Sequence, residues 1–216
     1  MIVRTAWRAT VGYATVCLVF QGACRSRDAA TSSADSQAAH VQDVIANGGV
    51  VDSILPIAEQ LRRFRADIPE QPDTLRRASA SVDALVKRWA AAVATQDTAA
   101  LNHLVLDRAE FAWLYYPGST LSKPPYESPP QLLWGQIVNN SDNGARQLLA
   151  RFGGARFDVA SVACPAPSDS TATGRVYANC RVRVRVKNGR VIEGTLFGSI
   201  VENRGRFKFL GYANRL

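Results

Sequence analysis

The sequence has little of what most enzymes and metalloproteins need at their sites. Its 216 residues include four cysteines and two histidines, and neither type occurs with the spacing of metal ligands. A glycine-rich phosphate loop and a Gly-x-Ser-x-Gly nucleophile motif are also missing. Nothing in the sequence therefore supports a metal site, a nucleotide loop or a serine-hydrolase triad, and no cofactor is expected.

The N-terminal apolar segment, residues 9–20, is too short to span a membrane as a helix, which needs about 20 apolar residues. It follows Arg4 and Arg8 and precedes the small residues Gly22 and Ala23. A short apolar segment between basic residues and a small-residue site is typical of an export signal. We therefore expect a signal peptide over residues 1–23.

Gly22-Ala23-Cys24 resembles a bacterial lipobox, in which cleavage leaves an acylated cysteine as the new N-terminus. The resemblance implies that Cys24 carries a membrane anchor, which more than one acyl chain makes stable. Arg25 stands where an aspartate favours the inner membrane, so the resemblance implies the outer membrane, with the protein facing the periplasm. Gln21 replaces the usual aliphatic residue, and the alternative is an ordinary secreted protein cut near Ala23.

Residues 24–49 are rich in Ala, Ser, Asp and Gln and lack aromatics, which is typical of a flexible tether. We expect residues 50–216 to form one domain with its core over 79–216. The net charge of +8 falls to +6 when the two arginines of residues 1–23 are removed. This excess favours anionic phospholipid, lipopolysaccharide or peptidoglycan carboxylates as partners. Nucleic acid is not an expected partner behind an export signal.

Helical patterns dominate the first half of the domain. Ser81, Asp97 and Asp107 each stand where an N-cap is expected, before apolar residues at helical spacing. Asp107 and Glu110 also have the spacing of a capping box. Asp142 is expected to cap a further, short helix.

Strand patterns dominate the second half. Over residues 176–187 valines and basic residues alternate, so Arg181, Arg183 and Arg185 share one face. Helices followed by such strands predict an α+β fold, with N-terminal helices packed on a curved antiparallel sheet of about four strands. The arginine face is either an anion or partner surface, or a solvated face that discourages sheet aggregation.

Asn188-Gly189 predicts a hairpin between two of these strands. A plain two-residue loop places Arg185 opposite Ile192 and mixes the faces, because a one-residue slip turns every side chain over. One bulged residue instead places Val186 opposite Ile192. It also places Arg185 opposite Glu193, and we expect this bulged register.

Cys164 and Cys180 lie on neighbouring predicted strands that a polar loop joins. Export implies an oxidising compartment, so we expect a disulfide between them. For a loop of this length it stabilises the fold by about 3 kcal/mol. With both cysteines bridged, the domain has no thiol for catalysis or metal binding.

Residues 107–134 join two predicted helices through a proline-rich loop. The candidate pocket residues lie here: Glu110, Trp113, Tyr115, Tyr116, Tyr126 and Trp134. On one interpretation their flat faces and hydroxyls rim a pocket. On the other they are core packing plus a structured loop, because aromatics at helical spacing are usually buried.

The segment LVKRWAAAVATQDTAALNHLVL, the final strands and the order of elements resemble the nuclear-transport-factor-two-like or ketosteroid-isomerase-like family over about residues 79–216. The resemblance implies a cystatin-like cone whose mouth binds small apolar ligands. Some members use Asp and Tyr as acid and base, but no such Asp matches a position here, so no catalytic residue is carried over. The stretches AEFAWLYYP and FKFLGYAN also resemble bacterial lipoproteins of uncharacterised function.

Three functions follow as hypotheses. The first is a non-catalytic envelope lipoprotein that binds a small apolar or amphiphilic ligand, or an envelope protein or polymer. The second is an isomerase- or hydrolase-like enzyme in the same cone, with these candidate proton carriers: Glu110, Tyr115, Tyr116 and His103. The third is a structural protein that joins membrane to wall through the arginine face.

Overall fold

The structure of the protein is a computed structural model that describes residues 39–40, 42–44, 46–48, 55–170, 174–186 and 188–213. The chain divides into two compact units, Met1–Ile54 and Leu55–Leu216, and the fold below is that of the second. The predicted signal peptide, Cys24 and most of the predicted tether lie outside the described residues. Within the described ranges, no helix has the length and apolar character needed to cross a membrane.

The second unit is α+β, as predicted. Its helices are α1 (Ile57–Arg65), α2 (Val82–Thr95), α3 (Thr98–Leu104), α4 (Arg108–Glu110) and α5 (Pro130–Phe152). A π-helical turn, Phe111–Tyr115, and two 3-10 turns, Tyr116–Gly118 and Thr120–Ser122, follow α4. The strands are β1 (Phe157–Ala163), β2 (Asp169–Ser170), β3 (Gly174–Tyr177), β4 (Arg181–Val186), β5 (Val191–Gly194), β6 (Ile200–Asn203) and β7 (Arg206–Phe209).

The strands form two antiparallel sheets, where the sequence predicted one sheet of about four strands. Their orders are β1-β4-β5 and β2-β3-β6-β7. The chain passes from one sheet to the other three times, between β1 and β2, between β3 and β4 and between β5 and β6. Asn179 has a left-handed backbone, φ 55°, and turns the chain at the passage between β3 and β4. Val176 therefore packs in one core cluster, whereas Tyr177 and Cys180 pack in the other. The predicted continuous valine face is split.

The predicted helix caps are confirmed because they depend on local sequence. The side chains of Ser81, Asp97 and Asp107 accept hydrogen bonds from backbone N–H groups in the first turns of α2, α3 and α4. Glu110 reaches back to the N–H of Asp107 and completes the capping box. Each such cap stabilises its helix by about 1 kcal/mol.

The predicted helix start at Asp142 is wrong. Asp142 lies inside α5, which runs unbroken for 23 residues. Its neighbour Ser141 is buried and accepts a hydrogen bond from the backbone N–H of Tyr212 at 3.1 Å. The C-terminal segment thus packs on the middle of α5. This tertiary contact stabilises one continuous helix where the local sequence predicted two.

The hairpin has the predicted faces but not the predicted register. Val184, and not Val186, lies opposite Ile192. A shift of two residues keeps every side chain on its own face, so the apolar pattern cannot distinguish the two registers. The turn decides between them. The N–H of Val186 donates to the carbonyl of Arg190 at 3.0 Å, and Gly189, φ 76°, supplies the left-handed residue that a three-residue loop needs.

Two apolar clusters stabilise this unit. In the first, Trp89 of α2 is fully buried between Phe157 and Phe197, at ring distances of 5.3 and 5.2 Å. The second surrounds Phe111 and includes Phe64 of α1. The core therefore extends N-terminal to the predicted range of 79–216.

The predicted disulfide between Cys164 and Cys180 is confirmed. The two residues are 16 apart in sequence, so the bond closes a short loop in the unfolded chain.

We expect reduction to lower the free energy of unfolding by about 3 kcal/mol through loss of this constraint. Urea denaturation with and without reductant measures the change. A variant with alanine at both positions is the control, because reductant has no bond to break in it. A loss under about 1 kcal/mol in the parent chain would contradict the loop-closure argument.

Candidate functional site

A buried ion pair lies beside the predicted pocket residues. The Nζ of Lys208 is 2.6 Å from Oε2 of Glu110, and both side chains are almost wholly buried. Glu110 also accepts hydrogen bonds from the backbone N–H groups of Arg76 at 2.5 Å and Asp107 at 2.9 Å. Three donors surround this carboxylate, and one of them, the Lys208 ammonium, also neutralises its charge. Glu110 is therefore arranged as a structural anion joining α4 to β7, and not as an accessible proton carrier.

Three of the predicted pocket aromatics pack around Phe111. Its ring centroid lies 5.8 Å from that of Tyr115, 5.6 Å from that of Tyr116 and 5.1 Å from that of Trp134. Tyr116 is fully buried, and its hydroxyl donates to the carbonyl of Ser128 at 2.7 Å. Rings in mutual contact leave little room between them. The structure therefore favours the core-packing interpretation for this group.

The other two predicted aromatics lie elsewhere. The guanidinium carbon of Arg65 stands 3.6 Å from the ring centroid of Trp113, and Arg65 also donates to the carbonyl of Ala112 at 2.7 Å. Tyr126, in the proline-rich loop, is 64% exposed. The six predicted pocket residues are thus divided among a core, its rim and the surface.

A small polar cavity borders Tyr115. It measures about 20 Å³ and is also lined by Ser119, Asp169, Arg175 and Glu202. Burial raises the pKa of the Tyr115 hydroxyl, a hydrogen bond with Ser119 opposes this rise, and the charge of Asp169 adds to it. A cavity of this size holds about one water molecule. It is too small for an organic substrate.

The remaining candidate proton carrier, His103, lies on the exposed surface of α3. A guanidinium nitrogen of Arg77 is 2.7 Å from its Nε2. Tyr115 and Tyr116 both belong to the aromatic group around Phe111, Glu110 is buried in its ion pair with Lys208, and His103 is exposed. This arrangement gives no support to a shared acid–base site.

The predicted arginine face is exposed on β4. Glu193, on the neighbouring strand β5, lies 3.0 Å from Arg181 and 3.6 Å from Arg183. Arg185 is opposite Asp158 of β1. Glu193 therefore offsets about one of the three positive charges, since the ion pair of Asp158 is with Arg156. The face stays cationic, which agrees with both interpretations.

A cleft of about 510 Å³ opens at the end of the three-stranded sheet, where α5 ends and the β4–β5 hairpin turns. Its apolar lining comes from these residues: Phe152, Ala155, Phe157, Val186 and Ile192. The volume falls within the roughly 300–1,000 Å³ of small-molecule sites, and such sites are mostly apolar with a few polar groups. This cleft is the candidate functional site.

Three arginines border the cleft. Arg151 comes from the last turn of α5, Arg156 precedes β1, and Arg190 precedes β5. Arg156 forms an ion pair with Asp158. Among the described residues, no acidic side chain pairs with Arg151 or Arg190. Asn188 accepts a hydrogen bond from the backbone N–H of Arg190 at 3.1 Å and fixes the turn that carries this arginine.

A second cleft, of about 540 Å³, is lined by residues of α1 and α5 and by Arg108. Arg108 there lies 2.7 Å from Asp67. The hydrogen bond from Arg108 lowers the pKa of the Asp67 carboxyl. Arg63, which also lines this cleft, pairs with Glu59 of α1. Each charged group of the lining thus has an ion-pair partner, so this cleft is the weaker candidate.

The sequence-based predictions missed the residues of the first cleft. Their local signals are the turns Gly153-Gly154 and Asn188-Gly189, each close to an arginine. Those turns become neighbours because β1 pairs with β4, with Phe157 opposite Val186. Only the pairing of these two strands reveals the site.

Comparisons with protein-family models, with curated proteins and with solved structures found no match. The geometry of the cleft and the sequence are therefore the basis for a functional proposal.

Proposed function

We propose that this protein is a lipoprotein of the cell envelope whose domain binds a small amphiphilic ligand without catalysis. The observation that carries the proposal is the cleft of about 510 Å³ with an apolar lining and a cationic border. The N-terminal sequence supports the rest. An export signal followed by a lipobox-like Cys24 fits a lipid anchor at the outer membrane, with the domain in the periplasm.

The proposal includes a cystatin-like cone as the frame of the site. Two of the three passages of the chain between the sheets support it, because β3–β4 and β5–β6 then act as two long bent strands. Trp89 of α2 packs against Phe157 of β1 and against Phe197, which lies between β5 and β6. In such a cone the ligand enters at one end of the strands, which is where the cleft opens.

The two other functions have less support. An isomerase- or hydrolase-like enzyme needs an acid and a base at one accessible cavity, and among the candidates only Tyr115 lines the small cavity of about 20 Å³. A protein that joins membrane to wall through Arg181, Arg183 and Arg185 needs a strongly cationic face, which Glu193 partly neutralises.

Native mass spectrometry of the full chain, exported by a host with an outer membrane, tests the proposal. We expect a chain cleaved before Cys24, with acyl mass on that cysteine and a non-covalent small molecule bound. Ala155→Trp fills the cleft and should remove the bound molecule. Ala160→Trp is the matched control, because Ala160 is exposed on β1 outside the cleft lining.

The mass of Cys24 tests the lipid anchor, and the bound mass tests the ligand site. An unmodified Cys24 indicates an ordinary secreted protein. A bound mass that persists in Ala155→Trp places the ligand elsewhere. A chain with no bound mass shifts the weight to an envelope partner, and pull-down experiments then follow.

A further inference from the structure

The border of the cleft carries more positive charge than its acidic neighbours offset. Arg151, Arg156 and Arg190 contribute three charges, and Asp158 neutralises one of them through its ion pair with Arg156. Glu193, the nearest acid along β5, is engaged with Arg181 on the outer face. The described residues thus leave a net charge of about +2 at the mouth.

The two arginines without an acidic partner among the described residues stand on different elements at one opening. The guanidinium carbon of Arg151 lies 5.4 Å from the ring centroid of Phe152. Arg151 belongs to the last turn of α5 and Arg190 to the β4–β5 turn. A guanidinium presents a rigid fork of N–H donors that matches the oxygens of carboxylates and phosphates. Two such forks suit a head group with several anionic oxygens.

The apolar lining below these arginines suits an apolar group in the ligand, in addition to its anionic head. Ile192, Val186 and Phe157 offer no charge to an inorganic ion, and they gain by covering an alkyl chain. The site is concave and of limited volume, so a single alkyl chain can enter it, whereas a flat membrane surface cannot.

We propose that the cleft binds a single-chain amphiphile with a phosphate head, which Arg151 and Arg190 hold at the mouth while the chain lies on the apolar lining. This inference rests on the proposed function, since it names the ligand of the same cleft. A phosphate monoester carries a charge of about −1.5 to −2 at neutral pH. That charge matches the uncompensated charge of the border.

Calorimetric titration of residues 25–216, exported behind a cleavable host signal, tests the inference. The probes are octyl phosphate, 1-octanol and inorganic phosphate. Octyl phosphate should bind at least about tenfold more tightly than 1-octanol, because hydrogen bonds to a charged group add to the shared chain contact. Arg190→Gln should weaken the binding of octyl phosphate about tenfold and leave the affinity for 1-octanol unchanged. Raised salt should weaken the binding of octyl phosphate but not that of 1-octanol.

Arg206→Gln is the matched control, because Arg206 is exposed at the start of β7 and outside the cleft lining. It should leave all three affinities unchanged. Arg151→Gln is the second test variant, and thermal melting checks that each variant is folded.

The outcomes separate the inference from the proposed function. Equal affinities for octyl phosphate and 1-octanol overturn head-group recognition but leave an apolar cleft. Inorganic phosphate that binds as tightly as octyl phosphate reduces the site to an anion patch and overturns the inference. The inference is also overturned if both arginine variants bind octyl phosphate as tightly as the parent chain. Absence of binding by both octyl probes overturns the inference and the proposed function together.

Discussion

Replacing Lys208 with methionine is expected to lower the free energy of unfolding by about 3–5 kcal/mol. The substitution keeps most of the side-chain volume and removes the charge that lies 2.6 Å from Oε2 of Glu110. Glu110 is fully buried, so its carboxylate has no water to replace the lost partner. An uncompensated charge in the core costs far more than the ion pair itself contributes.

A double variant separates the cost of leaving Glu110 without its partner from the contribution of the ion pair itself. Glu110→Gln combined with Lys208→Met replaces both charges, and the glutamine carbonyl can still accept from the N–H of Arg76. We expect it to recover most of the stability lost by Lys208→Met alone. Urea denaturation measures all the variants. Arg181→Met, in the exposed pair with Glu193, is the control and should change stability by about 0.5 kcal/mol or less. If Lys208→Met costs no more than this control, the pair is not buried as described.

The two members of this pair show what sequence patterns reveal. Glu110 was predicted as part of a capping box, because its partner Asp107 is three residues away. Lys208 lies between Phe207 and Phe209, and alternation places it on a solvated face. The face is in fact buried, because β7 packs against one cluster through Phe209 and against the other near Glu110. A strand covered on both sides breaks the rule that alternation implies one wet face.

The same division between local and tertiary information runs through the fold. Three helix caps, the hairpin and the disulfide follow from neighbouring residues or from the predicted export, and they were predicted. The hairpin register depends on the three-residue turn, which the Asn-Gly pair alone does not specify. The continuity of α5 depends on a contact distant in sequence, and neither it nor the split of the sheet at Asn179 was predicted. The cleft was not predicted either. Arg151, Arg156 and Arg190 become one border only after β1 pairs with β4.

Replacing Phe111 with alanine is expected to lower the free energy of unfolding by about 3–5 kcal/mol, the usual cost of deleting a buried aromatic ring. Phe111 is fully buried, and its ring meets those of Phe64, Tyr115, Tyr116 and Trp134. Urea denaturation measures the loss. Tyr126→Ala is the control from the same segment. Tyr126 is 64% exposed, so its removal should change stability by about 0.5 kcal/mol or less.

This pair of variants also decides between the two interpretations of the aromatic segment. A pocket exists to be filled by a ligand, so truncating its wall costs affinity more than stability, whereas truncating a core costs stability first. The milder Phe111→Leu keeps the domain folded and allows the ligand to be measured directly. If the aromatic group is core, Phe111→Leu retains the bound molecule that Ala155→Trp removes. If Phe111→Leu loses that molecule while its stability is unchanged, the ligand lies among the aromatics and the cleft at the sheet end is not the site.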